Sequence, residues 1–266
     1  MPYLSPALNV MTSAARKAGR RLIRDFGEVE NLQISVKGPG DFVTVADQRT
    51  ESILVGELQR ARPGYPILSE EVGAIDGPDK SHRFIIDPLD GTTNFLHGIP
   101  HFAISIGLER DGVLVSGVIY NPISDDMFTA EKGHGAYLND TRLRVAARKD
   151  MKTALTATGI PWSGKDGHER FQAELGAMMN ATSGVRRFGS AALDLAWVAA
   201  GRYDMYWERD LKPWDIAAGI LMVREAGGVV SDMNNQQKML ETGNVIASNE
   251  ALHGQFLKLL KDAGKS

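Results

Sequence analysis

The chain has 266 residues and a formal net charge of −3, with 43% hydrophobic and 24% charged residues. These proportions are typical of a soluble globular protein. The slight negative net charge argues against nucleic-acid binding through an overall positive charge. The chain contains no cysteine, which excludes disulfides, thiolate nucleophiles and Cys-ligated zinc or iron–sulfur sites. Basic residues interrupt the N-terminal apolar stretch, and no apolar run reaches the roughly 20 residues of a membrane span. We therefore expect a soluble, cytoplasmic protein.

The first 150 residues contain helical patterns followed by the pattern of a sheet. Apolar residues that recur every three or four positions predict two helices, the second with Asp47 as its N-cap. From about 102 to 145 the period changes to two, and Asp111-Gly112 is a strong hairpin signal, so we expect an antiparallel sheet there. The other elements predicted in this part are helices at about 8–26 and 47–60 and strands at 66–68 and 83–86.

After about residue 150, helical and strand patterns alternate, as in α/β proteins. We therefore divide the chain into an α+β part, 1–150, with most of the candidate metal ligands, and an α/β part, 151–266, and we expect them to pack as one unit. The predicted elements of the second part are strands at 153–158, 204–207, 229–230 and 245–247 and helices at 169–179, 190–200, 216–225 and 250–261.

The most informative segment is Asp87-Pro88-Leu89-Asp90-Gly91-Thr92-Thr93-Asn94, at the carboxyl end of the predicted strand 83–86. Its two carboxylates emerge three residues apart, and Gly91 frees the backbone before a helical turn. Backbone N–H groups at such a turn suit a phosphate. An isolated pair of aspartates at this spacing is typical of a turn that caps a helix. Carboxylates beside an anion site, however, indicate a cation between them.

Two other acidic positions extend this pattern. Glu70 follows a predicted strand, and Asp215 opens a predicted apolar helix; alone, they would read as a surface residue and an N-cap. If the acidic candidates converge, each close pair repels by about 1 kcal/mol in water and about 4 kcal/mol at an effective dielectric of 20. Bound divalent cations remove that cost. Oxygen ligands without a His or Cys cluster favour magnesium over zinc.

Four segments together resemble the inositol monophosphatase family over nearly the whole chain. The resemblance implies a layered αβαβα sandwich of the sugar-phosphatase type and a lithium-sensitive homodimer. It further implies magnesium-dependent release of phosphate from myo-inositol monophosphate, or a similar polyol phosphate, by in-line attack of a metal-activated water. The segments are Asp41-Phe42-Val43-Thr44-Val45-Ala46-Asp47, Glu70-Glu71, residues 87–95, and Trp214-Asp215-Ile216-Ala217-Ala218-Gly219.

The resemblance also implies a role for each matching residue. Two Mg²⁺ ions per subunit are expected, with Glu70 helping to bind a third, weaker ion. Glu70, Thr92 and Asp47 would orient the attacking water and accept its proton. The expected metal ligands are Glu70, Asp87, the Leu89 carbonyl, Asp90 and Asp215. Gly91 and Thr92 would bind the phosphate. The substrate would be bound by Asp90, Gly189, Ala191 and Glu208.

The substrate is less well defined than the chemistry. Arg209-Asp210 follows Glu208 where better-known inositol enzymes carry a small residue near 210, and this charge pair would alter substrate preference. Histidinol phosphate is the main alternative, because an acidic rim would accept its ammonium group; fructose bisphosphate and nucleotide phosphates also remain open.

A non-catalytic protein that binds a partner, such as an RNA-associated factor, is disfavoured because every expected metal ligand is present. Lys37 matches a family lysine near the site.

Overall fold

The first part of the chain forms a large sheet with helices packed on it. Ser5 caps the first helix, its hydroxyl accepting from the Leu8 N–H at 3.2 Å, and Pro6 occupies the first helical position, which needs no N–H donor. The elements are α1 (Pro6–Gly27), β1 (Ile34–Gly38), β2 (Asp41–Thr44), α2 (Val45–Ala61), β3 (Ile67–Ser69), β4 (Gly73–Ile75), β5 (His82–Asp90), α3 (Thr92–Leu96), β6 (Ala103–Arg110), β7 (Val113–Asn121), β8 (Asp126–Glu131), β9 (Gly135–Leu138) and β10 (Thr141–Arg142).

The second part alternates helices with short strands, which form a smaller sheet. A short 3-10 helix, Met151–Thr153, leads into it. The elements are β11 (Leu155–Thr158), α4 (His168–Ala181), β12 (Gly184–Arg186), α5 (Ala191–Ala199), β13 (Met205–Glu208), α6 (Pro213–Glu225), β14 (Val229–Ser231), α7 (Met239–Thr242), β15 (Val245–Ser248) and α8 (Glu250–Ala263).

Helices and sheets alternate in five layers, which confirms the predicted αβαβα sandwich. In this computed structural model, α1 and α2 pack on the outer face of an eight-stranded sheet ordered β10-β9-β8-β7-β6-β5-β3-β4. Helices α5 and α6 fill the space between that sheet and a five-stranded sheet ordered β12-β11-β13-β15-β14, and α4 and α8 cover the far side. The structure describes residues 5–28, 34–38, 41–162 and 164–264, with the backbone alone at 34–38 and 41–43.

The long periodic elements lie where the sequence predicts them, whereas the predicted N-cap role of Asp47 is wrong. Helix α2 starts at Val45 with Thr44 as its N-cap, so Asp47 is the third helical residue, and its Oδ2 accepts from the Thr44 N–H at 2.8 Å. Helix α6 starts at Pro213, so Asp215 is likewise inside the helix and not its cap. The sequence did not predict β4, β12 or α7, which are too short to show a period.

The division of the chain at residue 150 stays a prediction, supported by the gap between Arg142, which ends the first sheet, and Leu155, which starts the second. Among the described helices, none is long and apolar enough to cross a membrane. The predicted cytoplasmic location therefore also stays a prediction.

Helix α6 lies unusually close to the eight-stranded sheet because two strands carry glycine under it. A Cβ added to Gly107 on β6 would lie 2.9 Å from the Ala217 Cβ, and one added to Gly117 on β7 would lie 3.0 Å from the Ala218 carbonyl oxygen. The buried face of α6 packs against both sheets. This close approach fixes the helix start, and with it Asp215, beside the end of β5.

Gly107→Ala should therefore lower the free energy of unfolding by about 1–3 kcal/mol, because the new methyl group meets a rigid helix instead of a flexible side chain. Urea unfolding measures the change. Gly176→Ala in α4 is the matched control: its added methyl has no atom within 4 Å, so it should be neutral or stabilise by up to about 1 kcal/mol. Equal effects of the two substitutions would contradict the tight contact.

Candidate active site

Five of the acidic residues singled out by the sequence line one cavity of about 710 Å³, whereas Asp47 is not part of its lining. Glu70 follows β3, Asp87 and Asp90 lie at the end of β5, and Glu208 ends β13. Asp215 reaches the same cavity from the first turn of α6. Strand ends thus bring together carboxylates that lie far apart in the sequence, as expected for ligand sites in layered α/β proteins.

A bulge in β5 lets both of its aspartates reach the cavity. Asp87 pairs with Ser105 and Asp90 with Ala103, so β5 advances three residues while β6 advances two. Side chains three apart on a regular strand point to opposite faces; the extra residue resets this alternation. Pro88, inside the bulge, has no N–H to lose from the ladder.

Asp87 is the most deeply buried carboxylate of the cavity, with 1% of its surface exposed. Its Oδ1 accepts from the Leu89 N–H at 2.9 Å. Burial, followed by repulsion from Glu70 and the other aspartates, raises the pKa of Asp87 well above its usual range.

Asp90 ties the first sheet to the middle layer of helices. Its Oδ2 accepts from the Ser190 hydroxyl at 2.6 Å and from the Ala192 N–H at 2.7 Å, at the start of α5. Burial raises the pKa of Asp90 to about 6, although these hydrogen bonds act in the opposite direction. Ser190 is a site residue that the sequence analysis missed; the prediction of a helix from 190 was the only signal for it.

Asp87, Asp90 and Asp215 together form an acidic wall of the cavity. Asp215 Oδ2 accepts from the Lys212 N–H at 2.8 Å. Burial, and then the charge of Asp90, raise the pKa of Asp215 well above its usual range. Like Asp87, it is held by a neutral backbone donor.

The acidic wall fits a hard divalent cation by its chemistry. Among the described residues, none of the ion pairs involves Asp87, Asp90 or Asp215. These side chains offer only carboxylate oxygen atoms as metal ligands, and magnesium prefers oxygen ligands. In the described parts of the chain, however, no group of three or more His, Asp or Glu side chains is placed so that it could hold a metal ion. The assignment of ligands to particular ions therefore stays a prediction.

The turn after β5 has the backbone shape expected of the phosphate site. Gly91 has a φ of +102°, and a Cβ there would lie 3.1 Å from the His101 carbonyl oxygen and 3.3 Å from that of Gly189, so only glycine fits. The Thr92 hydroxyl lies 3.2 Å from Asp47 Oδ1 and 3.1 Å from the Leu89 carbonyl oxygen, so it can donate to either of them. Burial raises the pKa of Asp47 to about 6.

Glu208 lines the same cavity, and so do Gly189 and Ala191. The Tyr206 hydroxyl donates to Glu208 Oε2 at 2.6 Å, and a Cβ on Gly159 would lie only 1.9 Å from Oε1. Gly159 therefore leaves the space that the carboxylate occupies. Burial raises the pKa of Glu208 to about 7. The sequence analysis missed both neighbours, because a lone Gly or Tyr in a strand region carries no distinguishing pattern.

The charge pair at 209–210 is divided between two places. Arg209 forms an ion pair with the buried Glu174, whereas Asp210 lines the main cavity together with Lys165. The Lys165 ammonium lies 3.6 Å from the centre of the Trp162 ring and donates to the Asp210 carbonyl oxygen at 3.2 Å. The rim thus carries Asp210 and a lysine, and not the expected arginine. The side chain of Lys37 lies outside the described residues.

The layered fold and its acidic cavity are those of a phosphatase. The profile of the inositol monophosphatase family matches residues 4–265, and the chain belongs to that family. An inositol-1-monophosphatase of Mesorhizobium japonicum is 58% identical over 97% of both chains. The Nus factor SuhB of Vibrio cholerae is 42% identical over 99% of this chain and 98% of its own. A crystal structure of the extragenic suppressor protein suhB of Bartonella henselae superposes with a TM-score of 0.94 at 55% identity, covering 97% of this chain and 99% of that one.

Glu208 should make the metal-free protein less stable as the pH rises. A carboxyl group whose pKa rises from 4.5 to about 7 on folding adds stability below pH 4.5, and that stability is lost as the pH rises through about 7. Relative to the wild type, Glu208→Gln should therefore gain about 2–3 kcal/mol between pH 5 and pH 7.5. Urea unfolding in EDTA measures this, with the exposed Glu241→Gln as control. Parallel pH curves for wild type and Glu208→Gln would contradict the assignment.

Proposed function

We propose that the protein is a magnesium-dependent phosphomonoester hydrolase that acts on myo-inositol monophosphate or a similar polyol phosphate. The observation that carries the proposal is the meeting of Glu70, Asp87, Asp90 and Asp215 in one cavity, beside the turn at Gly91. Membership of the inositol monophosphatase family and the names of relatives such as that of Mesorhizobium japonicum support the same activity.

The proposed metal ligands are Glu70, Asp87, Asp90, Asp215 and the Leu89 carbonyl, which would hold two or three Mg²⁺ ions. Bound magnesium would acidify water and neutralise charge on the phosphate, and lithium would compete for the same carboxylates. The protein itself contributes the placement: hydrogen bonds to backbone N–H groups fix Asp87 and Asp215.

The proton path is proposed to run through Glu70 and Thr92. When the Thr92 hydroxyl donates to Asp47 Oδ1, its oxygen presents lone pairs that can accept a hydrogen bond from water. Glu70, on the same cavity wall, would take the proton released as that water attacks phosphorus. The Gly91 and Thr92 N–H groups would bind the phosphate oxygens. No covalent phosphoenzyme is required.

Substrate recognition is proposed to depend on Glu208 and Asp90. A carboxylate can accept two charge-assisted hydrogen bonds from adjacent ring hydroxyls, and Tyr206 holds Glu208 in place for this. Gly189 and Ala191 line the same side of the cavity. Histidinol phosphate is the alternative substrate, since Glu208 and Asp210 would also accept an ammonium group.

A second copy of this chain is the proposed partner. Strand β12 lies at an edge of the five-stranded sheet, and next to it Ile160 is 46% and Met179 65% exposed. An unpaired edge flanked by exposed apolar side chains favours a protein interface. Met179→Glu should shift the mass measured by light scattering from dimer to monomer, whereas Val113→Glu, on a 42% exposed residue of β7, should not. A wild-type monomer at all concentrations would contradict this proposal.

The activity is tested by phosphate release from inositol, histidinol, sugar and nucleotide phosphates, with magnesium or with EDTA. Inositol monophosphate should be hydrolysed fastest, and only with magnesium. Asp90→Asn should lower kcat/KM by at least about 100-fold, because it removes a charge that contacts both ion and substrate. Asp140→Asn, in an exposed hairpin turn, is the control and should match the wild type. Turnover in EDTA would contradict the proposed magnesium dependence. Turnover of histidinol phosphate alone would contradict the proposed substrate.

A partner-binding role beside catalysis is a second candidate, favoured by the relative named Nus factor SuhB. The same Asp90→Asn variant separates the two roles, because it should lose turnover and keep any binding that uses another surface.

A further inference from the structure

A buried glutamate on α2 holds the turn that presents Glu70. Glu51 has 2% of its surface exposed, and its Oε1 accepts from the Glu71 N–H at 3.1 Å and the Val72 N–H at 3.2 Å. The Ser69 hydroxyl donates to the same oxygen. One carboxylate oxygen therefore binds donors on both sides of Glu70.

The Glu51 carboxylate has little water as an alternative partner, because only 2% of its surface is exposed. A buried carboxylate needs donors, and charge-assisted hydrogen bonds are stronger than neutral ones. Glu51 lies on a helix packed into the core, so it is a rigid support for the turn between β3 and β4. The turn at 69–72 is thereby held in one conformation.

The same helix face carries a second support. Asp47 lies four residues, about one helical turn, before Glu51, so both side chains lie on one face of α2. Asp47 accepts the hydrogen bond from Thr92 at 3.2 Å, whereas Glu51 binds the turn of Glu70. Helix α2 therefore sets the separation between the two groups proposed to handle the attacking water.

We propose that Glu51 is a positioning residue for the hydrolysis: it holds Glu70 at a fixed distance from Thr92 by binding Ser69, Glu71 and Val72. The catalytic part of this inference rests on the proposed function, whereas the hydrogen bonds between Glu51 and the turn do not depend on it. Misplacement of a reacting group by about 1 Å can cost 100-fold in rate.

Glu51→Ala should lower kcat by about 100-fold and change KM by less than about 3-fold, because Glu70 and not the substrate pocket is displaced. Glu51→Gln keeps the length and the accepting oxygen and should retain kcat within about 10-fold of the wild type. Leu54→Ala is the matched control: Leu54 is fully buried on the same helix, so the variant is destabilised without touching the turn. Its kcat, measured well below its unfolding midpoint, should equal that of the wild type.

Hydrogen exchange gives a readout that does not depend on activity. The amides of Glu71 and Val72 should exchange faster in Glu51→Ala than in the wild type, and should stay protected in Glu51→Gln and Leu54→Ala. Unchanged protection in Glu51→Ala, or equal kcat losses in Glu51→Ala and Leu54→Ala, would overturn the inference. A wild type without magnesium-supported turnover would instead refute the proposed function, and the exchange experiment would still decide whether Glu51 clamps the turn.

Discussion

The site depends on keeping several negative charges close together where little water reaches them. At an effective dielectric of 20, two carboxylates 4 Å apart repel by about 4 kcal/mol. Burial raises the pKa values of Asp87, Asp90 and Asp215, and repulsion between carboxylates raises those of Asp87 and Asp215 further. Only protonation or bound cations can relieve it. The bulge in β5 and the close approach of α6 to the sheet hold the carboxylates at the cavity despite this repulsion.

The contacts that hold the site also join the two parts of the chain. Asp90 accepts from Ser190 at the start of α5, and the Asn94 side chain donates to the Phe188 carbonyl oxygen at 2.6 Å. The Ser105 hydroxyl on β6 donates to the Trp214 carbonyl oxygen at 3.2 Å, next to Asp215. Movement of one sheet against the other would therefore change the geometry of the acidic wall, so site geometry and packing of the layers are coupled.

The sequence was sufficient for features that are local or periodic, and insufficient for features that arise from contact at a distance. Long helices show their period, and the hairpin at Asp111-Gly112 lies as predicted because both residues adopt positive φ. Glu70, Asp87 and Asp90 could be found because they lie at the ends of predicted strands, and Asp215 because it opens a predicted helix. Glu51 and Gly159 could not: a glutamate within a helix resembles a solvated residue, and its partners lie 18 to 21 positions away. Asp47 was assigned the wrong local role because its helix starts two residues earlier, at Val45.

The acidic wall differs from other buried acids in the kind of hydrogen-bond donor that contacts its carboxylates. Some buried acids elsewhere have cationic partners, as Glu174 has Arg209 and Asp204 has Arg148. The acidic wall instead uses backbone N–H groups and the Ser190 hydroxyl, which orient the carboxylates without neutralising them. A phosphate ester facing this wall is repelled until cations compensate the charge. Binding of cation and of phosphate must therefore favour each other, and by linkage each raises the affinity for the other by the same factor.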